Sequence, residues 1–181
     1  MENKYIRTKF EGLTEEVYKW EQLNWSSFCK EEFRKKESEK ELAFSYMHAA
    51  EVLFEIMSKE NNPSFHIKVF RTNQLCMPML FLCRHTIELT LKLVIESKTN
   101  KIEEGHKLQN LWDKLKTIMH IENNEYDNLI TTFKELDSDG MQLRYAKNLE
   151  GKEYKPTPCF VKADLIIEDT KKLHQYLLGL I

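Results

Sequence analysis

The segment 78–96 constrains the fold most, because it is the most apolar run in the chain and yet carries charged side chains. Arg84, Glu88 and Lys92 follow one another at intervals of four residues, so on a helix they form a single row, with His85 beside it. Apolar residues flank this row closely. The pattern predicts a helix that is covered nearly all round and bears a narrow charged groove. Because ionised groups are costly to bury, the groove must be internally paired or used for function.

The composition is that of a helical globular protein. The 181 residues suffice for a substantial core, and only 5 Gly and 4 Pro leave few turns for an all-β fold. We therefore predict an all-α bundle of about six helices, organised as a single domain over 1–181 with an N-terminal arm at 1–12. The formal net charge of -2 excludes a global basic field, so nucleic-acid binding would need a local patch.

Apolar periodicity and turn residues indicate where the helices lie. The central helix is expected to begin near residue 73 or 74, with Pro78 in its first turn or at a kink. Residues 65–70 could form a short strand or an extended connector. In the long irregular segment that follows the fifth helix, 142–146 could pair with 153–155 as a small β-hairpin. The other helices are predicted at 15–36, 39–59 and 107–115, after residue 123 or 124, and at 161–178.

Cysteine usage and hydropathy indicate a cytoplasmic protein. The four cysteines form no C-x-x-C pair and no zinc-like spacing with histidine, and Cys76 and Cys83 fit one helix face as reduced core residues. The first residues lack the apolar core of a signal peptide. Charged residues in the middle of 78–96 argue against a membrane span. We expect no membrane association, no metal and no cofactor.

Three polar groups could carry chemistry: the row that starts at Arg84, the pair Gly105-His106, and the pair Arg144-Tyr145. Histidine titrates near neutral pH and can transfer protons, while arginine and lysine stabilise phosphate charge. Each group also has a structural interpretation. The row could neutralise itself as an i, i+4 ladder, His106 could cap the following helix, and Arg144 could pair with Glu88 and hold down the irregular segment. Phosphate-binding loops, the G-x-S-x-G elbow and H-E-x-x-H are absent.

Three sequence blocks occur in a diagnostic order. They are Leu-Phe-Leu-Cys-Arg-His-Thr-Ile-Glu-Leu-Thr-Leu-Lys at 80–92, Gly-His-Lys-Leu-Gln-Asn-Leu-Trp at 105–112, and Asp-Ser-Asp-Gly-Met-Gln-Leu-Arg-Tyr at 137–145. Together they resemble the HEPN-like helical proteins of bacteria and archaea, and within these a branch with R-H-x-x-E-L-x-L-K, G-H-x-L and R-Y blocks. The resemblance implies an all-α bundle, often a homodimer, associated with phage defence, toxin–antitoxin pairs or RNA processing.

Active HEPN-like proteins are metal-independent ribonucleases in which an Arg is followed about four to six residues later by a His. No Arg of this chain has a His at that spacing. The resemblance therefore leaves two hypotheses open. In the first, the chain binds and cleaves RNA, with catalytic candidates Arg84, His85, Glu88, His106 and Arg144 and substrate contacts from Lys92 and Tyr145. In the second, the chain is a non-catalytic interaction or regulatory subunit of a defence or toxin system, and the polar groups are structural. An open groove would favour the first hypothesis, and a sealed cluster the second.

Overall fold

The computed structural model describes residues 36–60, 68–122, 124–145, 147, 150–153 and 161–181, with side chains except at 36–38, 59–60 and 68–74. This part of the chain contains five α-helices, so the prediction of an all-α fold is confirmed for it. The arm at 1–12 and the first predicted helix up to residue 35 lie outside the described residues. The helices are α1 (Lys36–Glu60), α2 (Lys68–Thr99), α3 (Leu108–Met119), α4 (Asp127–Leu136) and α5 (Ala163–Leu178).

Helix α2 is the centre of the described structure. It packs against α1, α3 and α5, while α4 lies against α3 and α5. Its Ile87 and Leu91 are fully buried, as are Trp112 of α3, Phe133 of α4 and Leu173 of α5. Burial of apolar side chains from every helix around α2 supplies the main driving force for this arrangement. The charged row that starts at Arg84 therefore belongs to a helix that other helices cover.

Helix α2 is longer than the sequence pattern predicts. It begins at Lys68, so the expected strand or connector is wrong for residues 68–70, and residues 65–67 lie outside the described part. Pro78 lies inside the helix rather than in its first turn. Once a helix has been nucleated, each further residue adds one hydrogen bond, and no Gly or Pro between 68 and 77 stops this propagation. The short alternating pattern was therefore overridden by its helical neighbour.

The predicted hairpin is reduced to one antiparallel bridge between Lys147 and Glu153 within the described residues. Residues 142–144 form a turn instead of a strand, and the backbone amides of Arg144 and Tyr145 both donate to the carbonyl of Met141. These local hydrogen bonds compete with strand pairing. None of the described helices has an apolar stretch of the length that crossing a membrane requires.

Candidate functional site

Arg84 is the centre of a buried polar cluster that joins α2 to two loops. The residue is only 1% exposed. Its Nη1 donates to Glu88 Oε2 at 2.9 Å, one turn further along the helix. Nη2 donates to the carbonyl oxygen of His106 at 2.6 Å, and Nε donates to that of Asp137 at 3.3 Å. Because the guanidinium presents its donors in a rigid planar fork, one side chain holds both loops against the helix.

The loop after α4 is shaped around this guanidinium. Asp137 is 2% exposed, and its Oδ1 accepts a hydrogen bond from the backbone amide of Gln142 at 2.8 Å. Its Oδ2 lies 3.4 Å from Arg84 Nε, and no hydrogen bond reaches it from the described residues. Burial raises the pKa of Asp137, although the amide of Gln142 and the charge of Arg84 act in the opposite direction. Gly140 has φ +80°, and a Cβ there would lie 3.0 Å from Arg84 Nη2. A glycine therefore allows the loop to pack directly on the guanidinium.

Glu88 connects the buried cluster to the surface. Its Oε1 accepts a hydrogen bond from Lys92 Nζ at 3.0 Å and lies 2.8 Å from His106 Nδ1. Burial acts to raise the pKa of Glu88, but the hydrogen bonds from His106 and Lys92 outweigh it, so the net pKa is lowered and the carboxylate is ionised at neutral pH. An ionised carboxylate only accepts hydrogen bonds, so Nδ1 of His106 must carry the proton. In the tautomer that this contact selects, the lone pair of the ring is on Nε2.

The members of this cluster differ sharply in exposure. Arg84, Glu88 and Asp137 are each at most 3% exposed. Lys92 is half-buried, whereas the His106 side chain is 65% exposed. The interior carboxylate thus orients an imidazole that stands at the surface. A substrate could reach His106 and the edge of Lys92, but it could not reach the Arg84 guanidinium without displacing a loop.

A second group of candidate residues surrounds His85, which directly follows Arg84 on α2. His85 is half-buried, stacks on Phe81 and meets the edge of Tyr46. Burial lowers the pKa of His85, and the nearby Arg144 acts in the same direction, so the imidazole is neutral at physiological pH. Arg144 and Tyr145 are both exposed, and the guanidinium of Arg144 lies over the rings of Phe81 and Tyr145.

The structure brings Arg84, Glu88, Lys92 and His106 together, but two predicted contacts are wrong. Arg144 does not pair with Glu88: its Nε donates to the carbonyl of Gly140 at 2.8 Å, and Arg84 occupies the position beside the carboxylate. His106 does not cap α3 either. The N-cap residue is Lys107, which makes no side-chain capping bond, and the His106 ring is directed to Glu88 instead.

Sequence reasoning missed Asp137 and Gly140 as parts of the cluster and Tyr46 and Phe81 as parts of the aromatic group. The signal at Asp137 to Gly140 was a polar turn followed by glycine, which indicates a loop but not what the loop packs against. Tyr46 and Phe81 occupy positions that suit an ordinary core. Neither pair of residues has a sequence pattern that distinguishes members of a functional site from structural residues.

A separate buried polar cluster lies between α2 and α5. Thr90 Oγ1 donates to the carbonyl of Thr86 at 2.7 Å, so it can only accept from His174 Nδ1, which lies 2.8 Å away. Nε2 of the buried His174 and Oγ1 of the buried Thr170 have no hydrogen-bond partner among the described residues. Burial lowers the pKa of His174, so the ring is neutral near pH 7.

No family model, curated protein or solved structure matches this chain. Among the described residues, no group of three or more His, Cys, Asp or Glu side chains is placed to hold a metal ion. Cys76 and Cys83 are not in a disulfide bond, and burial raises the pKa of Cys83 to about 12.

Proposed function

We propose that this chain is a HEPN-like protein of a bacterial defence or toxin–antitoxin type system, which acts in the cytoplasm and binds and cleaves RNA without a metal ion. A homodimer and a partner protein of the same system are part of this proposal. The observation that carries it is the contact of 2.8 Å between the buried carboxylate of Glu88 and the exposed imidazole of His106. A buried carboxylate that orients an exposed histidine is the arrangement that general acid–base catalysis needs.

In the proposed reaction, the 2′-hydroxyl of RNA attacks the adjacent phosphorus and its proton passes to His106 Nε2. The bond from phosphorus to the 5′ oxygen breaks, and that oxygen takes a proton from an acid. The products are a 2′,3′-cyclic phosphate and a 5′-hydroxyl end. In a two-fold dimer, the partner's His106 is the candidate acid, whereas the neutral His85 is not suited to donate a proton.

The charged neighbours divide into two roles under this proposal. Lys92, which is half-buried and bound to Glu88, supplies positive charge near the phosphate. Arg84 and Glu88 are positioning residues, because their burial keeps them from the substrate. Arg144 and Tyr145 are exposed and are candidates for RNA contact rather than for proton transfer.

The test is cleavage of an end-labelled single-stranded RNA by the purified full chain in the presence of EDTA. We expect His106→Gln to slow cleavage by about 100-fold, since positioned acid–base groups typically contribute 10²–10⁴-fold. His48→Gln is the matched control, because His48 is an exposed histidine on α1 whose Nδ1 lies 3.9 Å from Glu51 Oε2. The native products should end in a cyclic phosphate. Absence of cleavage by the native chain, or equal cleavage by His106→Gln, would contradict the catalytic proposal.

The second candidate function is a non-catalytic interaction or regulatory subunit. The observation that favours it is the burial of Arg84 and Glu88, which bind each other and the two loops and thereby account for the charged row structurally. Under this function, His106→Gln leaves the cellular phenotype of the system unchanged. An Arg84→Met variant abolishes that phenotype only to the extent that it unfolds the protein.

A further inference from the structure

Five side chains from α1, α2 and the loop after α4 form a continuous array of planar groups. In spatial order they are Tyr46, His85, Phe81, Arg144 and Tyr145. His85 meets the edge of Tyr46 with ring centroids 4.6 Å apart, and it stacks on Phe81 at 5.5 Å with an interplanar angle of 14°. The Arg144 guanidinium lies 5.4 Å from the centroid of Phe81 and 5.3 Å from that of Tyr145.

One end of this aromatic array is open to solvent. Tyr145 is 51% exposed and Arg144 is exposed, while Phe81 and His85 are half-buried. The array thus offers planar faces next to one permanent positive charge. The charge of Arg144 disfavours a cationic ligand of the kind that aromatic cages bind. It suits a ligand that combines a planar π face with negative charge, and a nucleotide within a strand has both.

We propose that the aromatic array is a base-stacking subsite for single-stranded RNA, a proposal that rests on the proposed function and names the form of its substrate. Bases in a duplex are stacked on one another, so only unpaired bases can lie on aromatic or guanidinium planes. Phe81 and Glu88 lie about two turns apart on α2, which is about 10 Å along the axis at 1.5 Å per residue. A strand stacked on the array therefore lies within reach of His106.

The basic side chains near the array predict that RNA binding depends only weakly on salt concentration. Arg144 contacts the array and Lys92 lies close enough to act on the pKa of His85, but Lys92 already binds Glu88. With about one or two phosphates neutralised, log K should fall with log salt concentration with a slope of about -0.7 to -1.4. Binding would then depend more on stacking than on charge.

The experiment measures fluorescence anisotropy of a labelled, 2′-O-methylated oligouridine of about 12 nucleotides, which lacks the attacking hydroxyl, with the full chain at several salt concentrations. We expect Tyr145→Ala to weaken binding at least about fivefold, because stacking of one base is typically worth that much or more, and Tyr145→Phe to bind as the native chain does. Arg144→Lys should keep the salt slope and lose affinity, whereas Arg144→Gln should lose affinity and reduce the slope by about 0.7.

The control variants are Phe44→Ala, an exposed aromatic on α1 that contacts His174, and Lys172→Gln, an exposed cation on α5; both should bind as the native chain does. Native binding that is unchanged in Tyr145→Ala and Arg144→Gln would overturn this inference and leave the proposed function standing. Equal binding of duplex RNA, or tighter binding of the matched DNA strand, would also overturn it. A native chain that binds no RNA of either form would refute the proposed function itself.

Discussion

Replacing Arg84 by methionine tests whether the buried cluster holds both loops to α2. Methionine is unbranched and has a helix propensity similar to that of arginine, but it lacks the guanidinium. The change deletes the hydrogen bonds to Glu88, to the His106 carbonyl and to the Asp137 carbonyl. It also leaves the buried Oδ2 of Asp137 without its nearest cation.

The expected loss is large because the partners stay buried. Removing one member of a buried ion pair typically costs about 3–5 kcal/mol in unfolding free energy, mostly because the other charge is left uncompensated. Here Glu88 keeps Lys92 and His106, which limits the loss on that side, but the two carbonyls lose a charged donor. We therefore expect Arg84→Met to lower the unfolding free energy by about 3–5 kcal/mol and the melting temperature by about 6–20 °C.

Urea unfolding followed by far-UV circular dichroism measures this loss. Lys172→Met on the exposed face of α5 is the control, and it should leave the stability nearly unchanged. A double-mutant cycle with Glu88→Gln should show a coupling of about 0.5–3 kcal/mol, because the two side chains share a hydrogen bond of 2.9 Å. A loss below about 1 kcal/mol for Arg84→Met would refute the assignment of Arg84 as the tether of the two loops, and additive effects in the cycle would refute its coupling to Glu88.

Two further predictions concern the loop and the second buried cluster. Gly140→Ala and Gly151→Ala both place alanine at a positive φ, which costs about 1–2 kcal/mol. Only at Gly140 would the new Cβ also lie 3.0 Å from the Arg84 guanidinium, so Gly140→Ala should lose more stability in urea unfolding. Equal losses in the two variants would contradict the close packing of the loop on Arg84. Burial lowers the pKa of His174, so its stabilising contribution is present above its ordinary value of 6.5 and is lost as pH falls through the lower folded pKa. The unfolding free energy should therefore drop on acidification below pH 6.5. His174→Leu should make this pH dependence only partly weaker, because the pKa of His85 is lowered as well. A pH profile that His174→Leu leaves unchanged would refute the contribution of His174.

The sequence predicts the polar centre from two physical constraints. The four-residue spacing of Arg84, Glu88 and Lys92 puts them in one row, and the cost of burying charge requires that these side chains have partners. The acceptors of Arg84 also include two backbone carbonyl oxygens. Every residue has a backbone carbonyl, so the sequence does not indicate which of them will accept a hydrogen bond. The wrong prediction that Arg144 pairs with Glu88 has the same origin. Arg84 occupies the position beside Glu88, and Arg144 donates instead to the backbone carbonyl of Gly140, which no sequence pattern indicates.

Because Arg84 holds the two loops against α2, variants of the buried cluster cannot distinguish the two proposed functions. Arg84 and Glu88 are removed from direct contact with a macromolecule in either case, and both hold structure together. Loss of activity in their variants would follow from loosened loops as readily as from lost chemistry. His106→Gln interrupts only the exposed end of the cluster, where the imidazole meets Glu88, so its effect on stability should be small. A large loss of cleavage at unchanged stability can therefore come only from a role of His106 at the surface.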